Sequence, residues 1–194
     1  MTNALIVIDV QESFRARPLW KALDNPALIG NIQRLVDAAR ANGELVVWVL
    51  HAEPGSGGLF DPANGHVRIV DDLKPADGEP IITKTSHNAF STTNLGQTLT
   101  AAGVGSVTVT GLNTEQCVET TARVASDYGY EVTFVIDATG TFPIPHWEAP
   151  ADRSVEELLA DPRTLSPADI KARTAYVLAG RFATVRTTDD YLGG

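Results

Sequence analysis

Short runs rich in valine, isoleucine and leucine alternate with helix-punctuated stretches along the chain, and this alternation constrains the fold most. Residues 4–8, 44–50, 106–110 and 131–136 are near-continuous aliphatic runs, and 80–84 and 182–185 are two weaker ones. Such runs suit parallel strands covered on both faces. Between the first two, Asn25-Pro26 offers an N-cap and a first-turn proline. Leu28, Ile32, Leu35, Val36 and Ala39 then recur at helical spacing until Gly43. Asn94 with Gln97 reads as a capping box before a helix closed by Gly103. A third helix spans 115–128, Ser154 with Glu157 caps a fourth, and Ser166-Pro167 with Asp169 opens a last one reaching Gly180.

Strand and helix alternating throughout imply an α/β chain. The expectation is a three-layer doubly wound fold with a mainly parallel sheet of about six strands and helices on both faces. No internal repeat or linker divides the 194 residues, so a single domain over 1–194 is expected. Two long loops, 51–79 and 141–153, have the length at which compact domains place binding loops or lids.

Composition narrows the function by exclusion. A net charge of −9 argues against nucleic acid or an anionic membrane as partner. The apolar runs are strand-sized, too short to cross a bilayer. The chain opens without a basic-then-apolar leader and holds one cysteine, which together point to the cytoplasm. No G-x-G-x-x-G follows the first strand, so a dinucleotide cofactor is not expected.

Open parallel sheets bind ligands beyond the carboxyl ends of their strands. Three reactive side chains reach that edge from separate strands. Asp9 follows the first strand, Lys84 ends the PIIT run, and the turn GLNTEQ delivers Cys117. Singly, each has an ordinary reading: a turn-capping aspartate, a snorkelling lysine, a packed thiol. Together they make a complementary acid–base and nucleophile set. A helix N-terminus and a nearby ammonium are expected to lower the Cys117 pKa and favour the thiolate.

These residues stand within ALIVIDVQESF (4–14), ITKTSHNAFSTTNL (82–95), VTVTGLNTEQCVETTARVASDYGYEVTFVIDAT (107–139) and, more weakly, ATVRTTDDYL (183–192). In these segments the chain resembles the isochorismatase-like cysteine hydrolase superfamily, which includes nicotinamidases, N-carbamoylsarcosine amidases, and biuret and ureidoacrylate amidohydrolases. The resemblance implies that Cys117 attacks an amide carbonyl to form a thioester, that Asp9 shuttles the proton, and that Lys84 bridges them and biases both toward their charged forms. It also implies a cis peptide at Leu112–Asn113, with an oxyanion hole from the N–H groups of Asn113 and Cys117, and a homodimer or homotetramer.

The metal-binding Asp-x-His of nicotinamidases has no counterpart. The corresponding region offers His51, Glu53 and then His66, ligand types in a non-matching order, so no cofactor is expected. Phe14, Asn88, Phe90, Glu115 and Phe142 are candidate substrate contacts, with Gln116 beside Glu115 and His146 and Trp147 as lid residues. The expected substrate is a small amide or ureide. Two alternatives stay open: vinyl ether hydrolysis of the isochorismatase type using Asp9 without the thiol, and redox sensing or binding through Cys117 without catalysis.

Overall fold

The computed structural model describes residues 2–193. Six strands form one sheet: β1 (Thr2–Ile8), β2 (Leu45–His51), β3 (Ile81–Lys84), β4 (Val104–Leu112), β5 (Glu131–Gly140) and β6 (Thr184–Arg186). Their order is β3-β2-β1-β4-β5-β6, and every pairing is parallel. The α-helices are α1 (Glu12–Arg15), α2 (Leu28–Ala41), α3 (Leu95–Ala101), α4 (Glu119–Asp127), α5 (Val155–Ala160), α6 (Pro167–Leu178) and α7 (Thr188–Leu192).

The period-2 geometry of β1 explains its unbroken apolar run. Ala4, Ile6 and Ile8 face one core with Leu95 and Leu99 of α3, Ala122 and Ala125 of α4 and Leu178 of α6. Leu5 and Val7 face the other core, with Leu28, Ile32, Leu35, Val36 and Ala39 of α2. Both faces are therefore covered over Ala4–Ile8, where every side chain is buried; only Thr2 and Asn3 at the start of β1 reach water.

Strand order reverses between β1 and β4, which opens the crevice where ligands of such sheets bind. Gly111 makes close pairing there possible. It adopts φ +120°, and a Cβ at this position would lie 1.9 Å from the Ile8 carbonyl oxygen. Only glycine lets β4 lie against the end of β1 in this conformation.

Two caps differ from expectation. Asn94 makes no side-chain cap; the Thr93 hydroxyl one residue earlier accepts from the Leu95 N–H instead. The Asn25 carboxamide accepts from the Ala27 N–H, so α2 starts at Leu28, and its amide donates to the Asp137 and Thr139 carbonyls of β5. A side chain that ties the loop to the sheet replaces a simple N-cap. Ser154–Glu157 forms a full capping box, and Ser166 caps α6.

Candidate active site

Four neighbouring strands deliver the site in sheet order. Lys84 ends β3, His51 ends β2, Asp9 follows β1, and Asn113 follows β4. Asp9 takes φ +56°, a left-handed conformation that aspartate tolerates better than most residues. Its N–H donates to the Val49 carbonyl at 2.8 Å, which fixes the bend. After β4 comes a cis Leu112–Asn113 peptide, then a single π-helical turn, Thr114–Val118, that carries Cys117. Single π turns recur at functional sites because they shift one side chain out of helical register. The Thr121 hydroxyl grips the Cys117 carbonyl at 2.6 Å, and Thr114 hydrogen-bonds Thr139 at 2.8 Å, so the turn is tied to α4 and β5.

The structure brings Asp9, Lys84 and Cys117 together. Lys84 Nζ lies 2.8 Å from Asp9 Oδ2 and 3.4 Å from Cys117 Sγ. Asp9 and Lys84 are fully buried and Cys117 is 6% exposed. Neither Asp9 oxygen accepts a hydrogen bond of regular geometry; Lys84 is the carboxylate's main partner, with lesser help from the Cys117 side chain and His51. Burial raises the Asp9 carboxyl above its ordinary value, and Lys84 only partly opposes it. The thiol is pushed up to about 12, first by burial and then by the Asp9 charge, against the pull of Lys84. This corrects the expectation of a lowered thiol pKa; Lys84 does bias both partners toward their charged forms, as expected, but without prevailing. Desolvation outweighs the ammonium, and the resting group is a thiol.

A cavity of about 330 Å³ opens over this set. Of the predicted contacts, Phe14, Glu115, Gln116 and Phe142 line it, as does Asn113. Burial raises the Glu115 carboxyl, while the Thr141 hydroxyl, donating at 2.6 Å, works the other way. Two contacts are corrected. Phe90 is buried in the core, edge-on to Tyr128 and stacked near Tyr130. Asn88 turns the loop, its side-chain oxygen accepting from the Phe90 and Ser91 N–H groups. Neither lines the cavity.

Loop 141–153 does contribute a wall, through Phe142, Pro143, Ile144 and Pro145. His146 and Trp147, expected as the lid, stack on each other at 3.8 Å outside the cavity lining, and Trp147 is 86% exposed. Loop 51–79 supplies Glu53 and Phe60. His51, considered only as a metal ligand, lines the cavity, whereas His66 does not. Among the described residues no three His, Cys, Asp or Glu side chains cluster as a metal site. Arg17 and Leu19 were also missed; they follow Phe14 by less than two helical turns, the one signal that placed them nearby.

Residues 3–162 match the isochorismatase domain family. The chain belongs to the isochorismatase family. It is 32% identical over 190 residues to the uncharacterized isochorismatase family protein YrdC of Bacillus subtilis, covering 98% of this chain and 94% of that one. It is 25% identical over 225 residues to the ureidoacrylate amidohydrolase RutB of Agrobacterium fabrum, covering 98% and 89%. A crystal structure of a putative hydrolase of the isochorismatase family from Chromobacterium violaceum superposes with a TM-score of 0.86 at 25% identity, covering 99% of this chain and 92% of that one. Isochorismatase-family relatives are thus hydrolases, some of them amidohydrolases. Among the described residues no helix is long and apolar enough to cross a membrane.

Proposed function

We propose that the protein is a cysteine hydrolase that cleaves the C–N bond of a small amide or ureide through a thioester. One observation carries this reading: Cys117 Sγ, Lys84 Nζ and Asp9 Oδ2 form a continuous chain of 3.4 and 2.8 Å contacts beneath a cavity of small-molecule size. A thiol held protonated needs a base beside it, and Asp9 is the carboxylate in place.

In the first half-reaction Asp9 takes the thiol proton as sulfur bonds to the carbonyl carbon. The carbonyl oxygen becomes an oxyanion, received by the N–H groups of Asn113 and Cys117. The intermediate collapses, the C–N bond breaks, and the Asp9 proton leaves with the departing nitrogen. In the second, Asp9 takes a proton from water as the water oxygen bonds to the thioester carbon. The C–S bond breaks and the proton returns to sulfur. A carboxyl with a raised pKa suits both roles, since acid–base service is most effective near the working pH. The Lys84 side chain lies beside both groups, 2.8 Å from Asp9 and 3.4 Å from Cys117, and compensates the negative charge that moves between them.

The test is ammonia release from a panel of nicotinamide, maleamate, biuret, N-carbamoyl amino acids and ureidoacrylate-like compounds. Activity on a panel member is expected, with Cys117→Ala reducing it to background. Release that persists in Cys117→Ala would overturn the thioester and favour C–N hydrolysis by a water that Asp9 activates directly.

A further inference from the structure

Arg17 stands without a partner in a chain that otherwise engages its arginines. Among the described residues, every arginine except Arg17 and Arg181 donates to a protein oxygen. Arg17 makes no such bond and no ion pair there; its guanidinium carbon lies 5.9 Å from the centre of the Phe14 ring. It is partly buried and lines the cavity over Cys117. Five N–H donors therefore stand at the cavity wall with no protein acceptor.

The other charged groups around the cavity are already engaged. Lys84 has the Ser86 carbonyl, Cys117 Sγ and His51 Nδ1 as hydrogen-bond partners, and Asp9 lies beside it. Glu53 Oε1 faces His51 Nε2 at 3.5 Å. Glu115 accepts from the Thr141 hydroxyl at 2.6 Å and from the Gln116 amide at 3.1 Å. Position sets Arg17 apart as well. With Leu19, Pro143 and Pro145 it also lines the neighbouring groove toward Leu158 of α5, which Asp9, Lys84 and Cys117 do not reach. Arg17 therefore marks the side of the cavity away from the sulfur. Phe14, on which it rests, meets Phe60 edge-on at 4.9 Å and stacks toward Phe142 at 6.3 Å, so an aromatic wall carries the guanidinium.

We propose that Arg17 binds a carboxylate at the end of the substrate away from the scissile bond, which makes the substrate the monoamide or ureide of a short carboxylic acid. The planar guanidinium fork matches a carboxylate with two parallel hydrogen bonds. Its partial removal from water strengthens the attraction. One free guanidinium on a wall that also holds Asp9, Glu53 and Glu115 suits a single negative charge. A phosphate would bring nearly two charges into the same acidic surroundings. Of the compounds in the ammonia-release panel, maleamate, the N-carbamoyl amino acids and the ureidoacrylate-like compounds carry such a carboxylate, whereas nicotinamide and biuret do not. The inference rests on the scissile carbonyl being attacked at Cys117.

Protection of the chain's single cysteine against alkylation by iodoacetamide, followed by intact mass at one pH, reads this without turnover. The probes are malonamate, succinamate and glutaramate, each set beside its uncharged diamide. Each pair shares its length and one amide and differs in charge at the other end. In the native protein at least one acid should halve the alkylation rate at about ten-fold lower concentration than its diamide, the low end for a charge-assisted hydrogen bond at a partly exposed site. Salt at about 0.5 M should erase most of that difference. Arg17→Met keeps an apolar stem on Phe14 and removes the charge, so its acid and diamide should protect alike. Protection is taken in each protein relative to its own rate without probe. Arg17→Gln serves if the methionine variant does not fold.

Equal protection by acid and diamide in the native protein would overturn the proposal, as would the absence of protection by all three acids. Neither result depends on a variant. A preference for the acid that survives Arg17→Met would overturn it too. If that preference then vanished in His87→Gln, the carboxylate would belong to the exposed histidine on the same cavity. Failure here leaves the thioester reading intact, because that reading is decided by ammonia release from Cys117→Ala.

Discussion

Two carboxylates are buried on either side of the turn that carries Cys117, and the chain treats them in opposite ways. Glu119, two residues after Cys117 and 3% exposed, is saturated with donors. Its Oε1 accepts from Arg123 Nε and Nη2 at 3.0 and 2.8 Å and from Arg173 at 2.7 Å, and its Oε2 from Arg173 at 2.6 Å and Thr174 at 2.9 Å. Asp9, fully buried, has one ammonium at 2.8 Å and no regular hydrogen bond. A buried carboxylate with every lone pair engaged is scaffold: it pins α6 to the start of α4 and so fixes the turn that carries Cys117. One left short of donors is poised to accept a proton. The contrast separates structural from reactive polar groups within one small region.

The sharpest way to break the comparison is to neutralise the under-bonded member. Asp9→Asn should lower turnover by about 10²- to 10⁴-fold, the usual scale for losing a positioned acid–base group. The same change should speed Cys117 alkylation at pH 8, because the Asp9 charge is one cause of the raised thiol pKa. Activity and thiol reactivity would then move in opposite directions; unfolding would also expose the buried thiol and speed its alkylation, so the two are distinguished by an Asp9→Asn protein whose Tm stays near the native value. Stability has a definite sign too. The folded Asp9 pKa lies above 3.8, so its stabilising contribution is full below that value and is lost as pH rises through the folded pKa. The stability of the native protein relative to Asp9→Asn should therefore decline from pH 4 to pH 7 in denaturant titrations.

The saturated member should respond in stability alone. Glu119→Ala removes charge-assisted bonds, while Arg173 and Arg123, with side chains 58% and 30% exposed, can return to water. A loss of about 1.5–3 kcal/mol is expected. In a chain of this size that lowers Tm by about 4–8 °C in a thermal melt. The pH profile of Cys117 alkylation should stay where it is. A shifted profile would mean that the Glu119 charge reaches the sulfur, and the division between scaffold and reactive carboxylate would have to be redrawn.

The same division explains what could be read from the chain itself. The strands were legible because burial on both faces writes an unbroken apolar run, as in ALIVI and LVVWVL. Asp9, Lys84 and the Cys117 turn were legible because each directly follows or ends such a run. His51 ends one as well, yet reads as a loop ligand until β2 is seen lying between the strands of Asp9 and Lys84. Strand order, not spacing, makes it a neighbour of the ammonium. Glu119 was silent because its partners Arg173 and Thr174 stand more than fifty residues away. The sign of the Cys117 shift also escaped the sequence, since desolvation depends on what packs around the turn rather than on which charges lie near it in the chain.

The smallest expected effect concerns the loop beyond the cavity wall. Phe142 is 3% exposed and stacks toward Phe14 at 6.3 Å, so the start of 141–153 is held by packing. Five residues on, Trp147 is 86% exposed and touches the ring of His146. An indole that buries so little has little apolar transfer energy to lose. Trp147→Ala should therefore change kcat/KM less than two-fold and Tm by less than about 1 °C, within the range of ordinary surface substitutions. A ten-fold or larger loss of kcat/KM with an unchanged Tm would show that the indole closes onto bound substrate. The cavity wall would then extend past Pro145, and the loop would belong with Asp9 among the parts of the molecule left unsatisfied until substrate arrives.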